Sequence, residues 1–485
     1  MSRIHSLILA ALLILALPLI AEDDESRFEV KYGKNFTFSG GRVSIDHGFG
    51  ELVVRTHNSS QVQVRATIRS SDEEIGKEIR IIAGESPAGV SIRTEYPEIR
   101  KRGGHLSYSV DMTVTMPANA PLTAKNRFGS TKVRGLEAQS TIENKQGSIS
   151  FTDGRGTHSL VNSFGSIEAT DNQGDLTISN TNGSINVRRI GGSLTANNRF
   201  GSVTVADVDR AVTITNSNGS IEALDIGGTL RATNAFGSIT ASTIGAPVDI
   251  TTSNARVELS NVTGSATVKN SFGTVIVKTV SGNLNVDGSN SKVEAEGITG
   301  NVTVDTGFGG VTLQNIGGWA KVTSNNGNVR ATDIGGALTA ETRFGSVKAE
   351  RIRGTADVNS TNGSITLNEV GGAAKVRAGF GSVFVDGVGG AVDVTNSNGA
   401  IAVSGLRAGA CHPVTLRTNF SSIKVALPEG TGYSVNARTS FGRVSSQIPI
   451  LTTGITEETL VGTIGKGGCK LELANANGNI TIEKE

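Results

Sequence analysis

The chain has 485 residues, and its 45 Lys plus Arg residues nearly balance its 44 Asp plus Glu residues, which gives a net charge of +1. This balance excludes an electrostatic basis for binding nucleic acid or an acidic membrane surface. Glycine is abundant, with 62 residues, but the glycines recur at fixed intervals, so their number does not indicate disorder.

Residues 1–21 have the pattern of a secretory signal peptide. Arg3 supplies a positive charge, an apolar run extends from Leu7 to Leu17, and Leu19-Ile20-Ala21 is a suitable cleavage site. The apolar run is short for a transmembrane helix, although an uncleaved anchor is the alternative. We therefore expect an exported protein (periplasmic, on the outer surface or secreted) with no transmembrane span after removal of the signal.

Residues 22–117 contain strand-like alternations of polar and apolar residues at irregular spacing. The stretch around Val43, Ile45 and Leu52 resembles one unit of the repeat described next, whereas the intervening loops are longer and more charged. Repeat proteins need atypical end units to cover an exposed core and sheet edge. We predict an irregular N-terminal capping segment here, joined to the regular part at Pro117–Pro121.

Residues 118–408 carry a repeat of fixed period. Phe-Gly recurs every 36 residues, and Asn or Gln occupies the midpoint of each interval, so the underlying unit has 18 residues. A fixed period of this size is typical of a solenoid, in which each unit buries its apolar face against its neighbours. The phenylalanines are Phe128, Phe164, Phe200, Phe236, Phe272, Phe308, Phe344 and Phe380.

Five positions in each unit are aliphatic, and Ile, Val, Leu or Ala fills all of them in the twelve units from residue 183 to residue 398. Their spacing of two within each pair is strand alternation. Gly-Gly on one side, and Phe-Gly or Asn-Gly on the other, supply the bends between strands. We predict an all-β, single-stranded parallel β-helix (β-solenoid) with about 18 residues per coil and irregular caps at both ends, and we take its winding to be right-handed.

The repeat allows two coil sizes. With 18 residues per coil, successive phenylalanine rings would lie about 9.6 Å apart with an amide residue between them; with 36 residues per coil, they would stack at about 4.8 Å. A coil of 36 residues would need four strands and an unusually wide core. We therefore favour 18 residues and a regular segment roughly 77 Å long.

Two further positions recur with the repeat. An Asn is predicted to face the interior at one bend and to bond backbone groups there; it occurs at Asn126, Asn144, Asn162, Asn180, Asn198, Asn216, Asn234, Asn270 and Asn396. We expect the phenylalanines to pack inside the corners as well. The alternative is an aromatic row on the surface, which would bind glycans or another protein through many weak contacts.

Residues 409–485 contain an interruption of the repeat, further coil-like stretches and a C-terminal cap. Strands from Val414, Val435 and Leu471, if they lie on successive coils, place Cys411 and Cys469 about two coils apart, near 9.6 Å. That separation exceeds the usual reach of a disulfide, but both cysteines lie in loops that could bend together. Exported proteins enter oxidising compartments in which such a pair can form a disulfide. The sequence therefore leaves open whether Cys411 and Cys469 are bonded.

The sequence does not indicate a catalytic residue, a metal site or a cofactor. Parallel β-helices include polysaccharide lyases and hydrolases, but their clefts are built by long loops, and the repeat carries no insertion. The histidines lack metal-ligand spacing. A recurring aspartate just before one bend is typical of turn capping; it occurs at Asp153, Asp171, Asp207, Asp225 and Asp333.

Several motifs resemble a known family. Leu122-Thr123-Ala124 running into Asn126-Arg127-Phe128-Gly129, the repeated Asn-Gly-Ser-Ile units and the ending from Leu471 to Ile480 resemble the bacterial "putative adhesin" domain of unknown function. The likeness covers nearly the whole mature chain, which departs from short members in its long unbroken array. It implies an exported or envelope-associated β-helix and brings no catalytic residues.

These patterns favour a non-enzymatic, exported β-solenoid that serves as an adhesin-like or structural component of the cell envelope or surface. One alternative is a polysaccharide-active β-helix enzyme. A second is a self-assembling filament or scaffold protein that joins through imperfectly capped ends. The expected partners are glycans or envelope and surface proteins, and nucleic acid is not expected.

Overall fold

The computed structural model describes residues 28–98, 106–409 and 411–485, so the predicted signal peptide, residues 1–21, lies outside the described residues. The fold class is confirmed: the chain is all-β, with 70% of it in strands, and forms a parallel β-solenoid of about 17 turns with about 18 residues per turn. Within the described ranges, no helix has the length and apolar character needed to cross a membrane.

The N-terminal segment combines strands with a short helix. Its elements are β1 (Phe28–Thr37), β2 (Arg42–Phe49), β3 (Leu52–His57), β4 (Gln61–Ser70), α1 (Glu73–Glu78), β5 (Arg80–Ser86), β6 (Gly89–Glu95) and β7 (Tyr108–Pro117).

The regular array follows. Its strands are β8 (Leu122–Phe128), β9 (Thr131–Arg134), β10 (Ser140–Gln146), β11 (Ile149–Thr152), β12 (His158–Phe164), β13 (Ile167–Asn172), β14 (Leu176–Asn182), β15 (Ile185–Ile190), β16 (Leu194–Phe200), β17 (Val203–Val208), β18 (Val212–Asn218), β19 (Ile221–Ile226), β20 (Leu230–Phe236), β21 (Ile239–Ile244), β22 (Val248–Val262), β23 (Ala266–Val280), β24 (Leu284–Ile298), β25 (Val302–Phe308), β26 (Val311–Ile316), β27 (Ala320–Asn326), β28 (Val329–Ile334), β29 (Leu338–Phe344), β30 (Val347–Ile352), β31 (Ala356–Asn362), β32 (Ile365–Val370), β33 (Ala374–Phe380), β34 (Val383–Val388), β35 (Val392–Asn398) and β36 (Ile401–Ser404).

The C-terminal part completes the solenoid. Its strands are β37 (Val414–Phe420), β38 (Ile423–Leu427), β39 (Tyr433–Phe441), β40 (Val444–Ser446), β41 (Leu451–Ile455), β42 (Thr459–Ile464), β43 (Cys469–Asn477) and β44 (Ile480–Lys484).

Each unit of the array forms two strands, as β15 and β16 illustrate. All five predicted aliphatic positions of this unit are buried, and most of the residues between them lie at the surface: Ile185, Val187, Ile190, Leu194 and Ala196 form the inward set. The interior is therefore a continuous column of aliphatic side chains, built from alternation with a period of two.

The bends explain why glycine recurs. Gly183 has a φ of 135°, and a Cβ added there would collide with the carbonyl group of Gly165 on the preceding coil. A side chain would therefore be strained and would not fit at this corner. Three successive strands, β22, β23 and β24, run through this corner as single strands of 15 residues, with Ala255, Gly273 and Ser291 at the equivalent position.

Neighbouring coils pair in parallel, 18 residues apart. β14 pairs with β16, which places Leu176 beside Leu194 and Asn182 beside Phe200. β15 pairs with β17 in the same register. Phenylalanine and asparagine therefore alternate from one coil to the next, which confirms the coil of 18 residues over the coil of 36.

The interior asparagines bond backbone carbonyl groups at the bend. Asn162 Nδ2 donates to the carbonyl oxygens of Gly147 (2.9 Å) and Gly165 (3.0 Å). The same pair of bonds recurs at Asn198, Asn216 and Asn234. Where the ladder lacks asparagine, a hydroxyl group can replace it, since Thr306 Oγ1 donates to the Ser291 carbonyl at 3.1 Å. These inward side chains satisfy acceptors that would otherwise be buried without a partner.

The order of strands at the N-terminal end differs from the order in the chain. β2 and β3 pair directly with β8 and β9 of the array, and the later strands β6 and β7 pair on their outer side. Antiparallel strands then close the end, because β5 pairs with β6, β4 pairs with β7, and β1 pairs with the outer side of β4. Exposed Lys31 and Lys34 on β1 discourage further strand pairing at this edge.

The C-terminal end is rearranged in the same way. β43 lies between β37 and β39, and β44 lies between β38 and β40. The expected order of Val414, Val435 and Leu471 on successive coils is therefore wrong, because Leu471 lies directly beside Val414. Cys411 and Cys469 consequently lie on adjacent coils with their Cα atoms 5.3 Å apart, and their sulfur atoms are bonded. The β41–β42 hairpin pairs antiparallel with β39 and closes this end.

The inward assignment can be tested at two adjacent residues. Ile221 is 1% exposed, whereas Glu222 faces solvent. Ile221→Asp should lower the free energy of unfolding by several kcal/mol, because it buries an unpaired charge. Glu222→Lys should change it by less than about 0.5 kcal/mol. Urea denaturation followed by circular dichroism measures both, and similar losses would contradict the assignment.

One buried ladder position predicts a pH dependence. His47 lies beside Asn126 in the interior ladder and is fully buried. Burial lowers the pKa of His47 to about 4, whereas the unfolded chain retains a histidine pKa near about 6.5. Between these values the unfolded state binds a proton that the folded state does not, so stability present above pH ~6.5 is lost as the pH falls toward 4.

His47→Asn, which installs the usual residue of the ladder, should remove this pH dependence. Between pH ~7.5 and pH ~5.0 we expect the wild type to lose about 2 kcal/mol more stability than the variant. Urea unfolding at each pH measures the difference, with His57→Asn as the control at a partly exposed histidine. Parallel pH profiles for the wild type and His47→Asn would show that this histidine is not the cause.

The disulfide should stabilise the inserted C-terminal strands. It joins residues separated by 58 positions. Replacing both cysteines with alanine is expected to lower the free energy of unfolding by roughly 2–4 kcal/mol, because the unfolded chain gains conformational entropy without the cross-link. Thermal unfolding of the two proteins measures this cost. Titration of the denatured protein should find no free thiol before reduction and two after it. Two thiols before reduction would disprove the bond.

Candidate functional site

The repeat phenylalanines form one exposed row along the corner after the second strand of each unit. Their exposed fractions range from 39% at Phe128 to 56% at Phe308. The expectation that these rings pack inside the corners is therefore wrong, and the alternative of a surface row is the arrangement found. The eight predicted members are Phe128, Phe164, Phe200, Phe236, Phe272, Phe308, Phe344 and Phe380.

The corner itself turns the rings outward. In β16, Ala196 and Asn198 point inward, and strict alternation would also bury Phe200. Gly201, with a φ of 114°, bends the chain at this point, so Arg199 and Phe200 both face solvent. The sequence carried one signal of this outcome: Asn or Gln takes the place of Phe in every second unit, and a site that accepts either residue type is typical of a surface.

The row continues into the C-terminal coils, where two members were not predicted. Phe420 lies beside Asn398, Asn477 lies beside Phe420, and Phe441 lies beyond Asn477. The alternation of ring and amide is therefore kept in space although the chain order is broken. The row spans fifteen coil-to-coil steps from Phe128 to Asn398 and three more to Phe441. At about 4.8 Å per step it is roughly 86 Å long.

The amide residues between the rings are shorter and lie against the backbone. Asn477 Nδ2 donates to the Asn419 carbonyl at 3.4 Å, and Asn182 Nδ2 contacts the Ser163 carbonyl at 3.5 Å. Successive rings are thus about 9.6 Å apart from centre to centre, and we call the space between them, over the intervening amide residue, a slot. We call the ten rings and their intervening amides the phenylalanine row.

The N-terminal end of the phenylalanine row is closed by aromatic residues. Phe49 lies one coil before Phe128 and stacks on it, with ring centroids 4.7 Å apart and an interplanar angle of 1°. Tyr96 and Tyr108 pack edge-on against the ring of Phe49 at 4.9 and 5.1 Å. Two rings on adjacent coils therefore stack directly, whereas rings two coils apart leave a slot.

The surroundings of the phenylalanine row are largely neutral. None of the residues that directly precede its rings and amides is acidic, and most are Ser, Thr, Ala, Gly or Asn. Among the exceptions are Arg127, Arg199 and Arg343, and the guanidinium carbon of Arg199 lies 5.2 Å from the ring centroid of Phe200. The row therefore offers aromatic and amide contacts with little net charge.

The opposite corner carries charged residues, some of which form ion pairs. The recurring aspartates adopt left-handed backbone conformations, such as Asp171 with a φ of 60° and Asp333 with a φ of 58°. Arg189 Nε donates to Asp171 and Arg351 Nε donates to Asp333, both at 2.6 Å. These hydrogen bonds hold the pKa of each aspartate below its usual value.

An open groove of about 860 Å³ runs along this corner and is lined by Gly317, Gly335 and Gly371 together with Asp333 and Arg351. Glycoside hydrolysis requires two carboxyl groups facing one bond. The carboxylates that line this groove are Glu369 and Asp333, and Asp333 is bonded to Arg351. Among the described residues, no group of three or more metal-ligating side chains is positioned to hold a metal ion.

One serine and one histidine lie within hydrogen-bond distance inside the solenoid. Ser140 Oγ is 2.8 Å from His158 Nδ1, and His158 Nε2 lies 3.0 Å from the Arg155 carbonyl. Both side chains are buried, and burial lowers the pKa of His158. Since no substrate can reach them, the pair fills a core position.

Comparison with known proteins identifies the family of this chain but no curated relative. Among curated proteins, none matches this chain. A crystal structure described as a putative cell adhesion protein from Clostridium sporogenes covers 94% of this chain and 100% of its own, at 8% sequence identity and a TM-score of 0.18. A score this low carries no argument about structure or function.

A family profile also matches most of the chain. The profile described as Toastrack DUF4097 matches residues 99–483, which include the array and nearly all of the C-terminal coils. This agrees with the resemblance drawn from the sequence motifs. The chain therefore belongs to the Toastrack DUF4097 family, a domain family of unknown function.

Proposed function

We propose that the protein is a non-enzymatic, exported β-solenoid that acts as an adhesin-like or structural component of the bacterial cell envelope or surface. The observation that carries this proposal is the phenylalanine row, in which ten exposed rings follow one edge of a regular rod. Such a rod presents the same contact many times at a fixed spacing, and repeated weak contacts add up to firm attachment.

The exposed aromatic area is large enough to need a partner. Each ring is about half exposed, and an aromatic side chain has roughly 150–250 Å² to bury. Ten rings therefore leave roughly 1,000 Å² of aromatic surface along one edge. An exposed area of this size, although amide residues divide it, is typical of an interaction surface. Contact with glycans or with envelope and surface proteins would cover this area.

The polysaccharide-active enzyme finds less support. The array has no long loops to build a cleft, and Asp171 and Asp333 beside the Gly-Gly bends are each bonded to an arginine. The aromatic rings instead lie on a convex corner of the coil, away from those carboxylates. This separation of rings from acidic groups favours binding without turnover.

A triple substitution tests the proposal. Phe236→Asn/Phe272→Asn/Phe308→Asn installs the residue that alternate coils carry at the same corner, so the fold should be kept. We expect the tagged wild type to fractionate with the cell envelope or the medium. Binding of the purified protein to isolated envelopes should fall at least about tenfold in the variant, because exposed aromatic residues dominate binding energy.

The matched control changes three exposed residues of the same strands, as Thr233→Asn/Lys269→Asn/Asp305→Asn, and should bind like the wild type. Asn197 occupies the equivalent position in its own coil, so these changes also suit the fold. A cytoplasmic location, or equal binding by both triple variants, would contradict the proposal. Polysaccharide turnover that is lost on mutating a carboxylate pair would favour the enzyme instead.

A further inference from the structure

We propose that the phenylalanine row is the contact between two copies of this chain, which lie side by side and antiparallel with the rings of one copy inserted into the slots of the other. The inference rests on the proposed function only in taking this row as the contact surface. It names the partner as a second copy and the product as a closed dimer.

The slots have the width that one inserted ring requires. Successive rings of the phenylalanine row are about 9.6 Å apart, so a ring entering midway would lie about 4.8 Å from each neighbour. The molecule already contains this distance, since Phe49 and Phe128 stack at 4.7 Å on adjacent coils of the same corner. A second copy would thus repeat, along the whole row, the ring stacking that Phe49 and Phe128 make at the N-terminal end of one chain.

Symmetry makes the row self-complementary in one orientation. A two-fold axis perpendicular to the rod, placed midway between two neighbouring coils, brings each phenylalanine coil of one copy opposite an amide coil of the other. A two-fold axis along the rod would instead place ring against ring at every level. The antiparallel arrangement uses the same surface on both copies, so it closes at two chains and does not propagate.

The area and the charges permit a stable pair. The rings of one copy expose roughly 1,000 Å², and a standard stable interface needs roughly 800 Å² from each partner. The fullest overlap that keeps ring opposite amide shifts one row by one coil relative to the other, in either direction. In both arrangements, any coil of the partner copy that lies opposite Arg127, Arg199 or Arg343 has a neutral residue directly before its ring or amide. Lys145 likewise faces a neutral residue in both arrangements, so the basic residues that directly precede the corner meet no like charge across the proposed contact.

The test measures oligomeric state with variants that change ring number in opposite directions. Phe236→Asn/Phe272→Asn/Phe308→Asn removes three rings, and Asn254→Phe/Asn290→Phe fills two slots with rings of the same chain. If the rings interdigitate, sedimentation equilibrium should find a wild-type dimer, and both variants should weaken it at least about 100-fold. A surface that is merely adhesive would instead associate more strongly when rings are added.

Matched measurements complete the design. Thr233→Asn/Lys269→Asn/Asp305→Asn should keep the wild-type dissociation constant, and circular dichroism with thermal unfolding should find every variant folded. Small-angle scattering should give a dimer of nearly the monomer length with a doubled cross-section. An end-to-end dimer, or a dimer unchanged by both ring variants, would overturn the inference.

The remaining outcomes separate the inference from the proposed function. A wild type that is monomeric at all concentrations, and that binds a purified polysaccharide only when its rings are present, would overturn the second-copy assignment and leave the adhesive role standing. A ring-dependent dimer that does not associate with isolated envelopes and stays in the cytoplasm would support the inference and overturn the proposed function.

Discussion

In-register pairing between coils is the constraint on which the structure depends. The backbone groups of a coil in the array find their partners on neighbouring coils, as in the bond from the Gly183 amide to the Phe200 carbonyl at 2.9 Å. A parallel sheet keeps its inward and outward faces only while this register holds, because a shift of one residue exchanges them. This requirement explains the absence of insertions in the array, since an extra residue inside a strand would turn the aliphatic positions that follow toward solvent.

The same constraint explains the polar ladder and its substitutions. A bend brings carbonyl groups into the interior, where they need donors, and the stacked asparagines supply two bonds each at many coils. Thr306 and Ser360 replace them with a shorter side chain and a hydroxyl bond to the preceding coil. His47 fills the equivalent position at the edge of the array, and burial keeps its ring neutral at physiological pH. The ladder therefore accepts different side chains, and those named here are uncharged.

The sequence predicted the coil because one period fixes both the strands and their register. Residues such as Ile221 and Glu222 could be assigned to inside and outside from alternation alone, and the structure agrees. The position of Phe200 could not be assigned in this way, because alternation ends where Gly201 bends the chain. The order of the last coils was also beyond this reasoning, since the strands that contain Val414, Val435 and Leu471 fit any level of the column equally well. The alternation of ring and amide at the corner did contain part of the answer, because it requires Asn477 to lie between Phe420 and Phe441, as it does.

The interleaved ends decide how such a rod can meet other molecules. At both ends a coil lies out of chain order, and antiparallel strands cover the terminal coil. The interior column is therefore closed, and the charged edge of β1 opposes strand addition. Growth by stacking rods end to end would have to displace these caps, so the filament alternative loses the open ends it needs. The sides remain, and among them the corner with Phe236, Phe272 and Phe308 combines regular spacing, aromatic area and low charge. Contact along the side of the rod is the mode of association that this architecture favours.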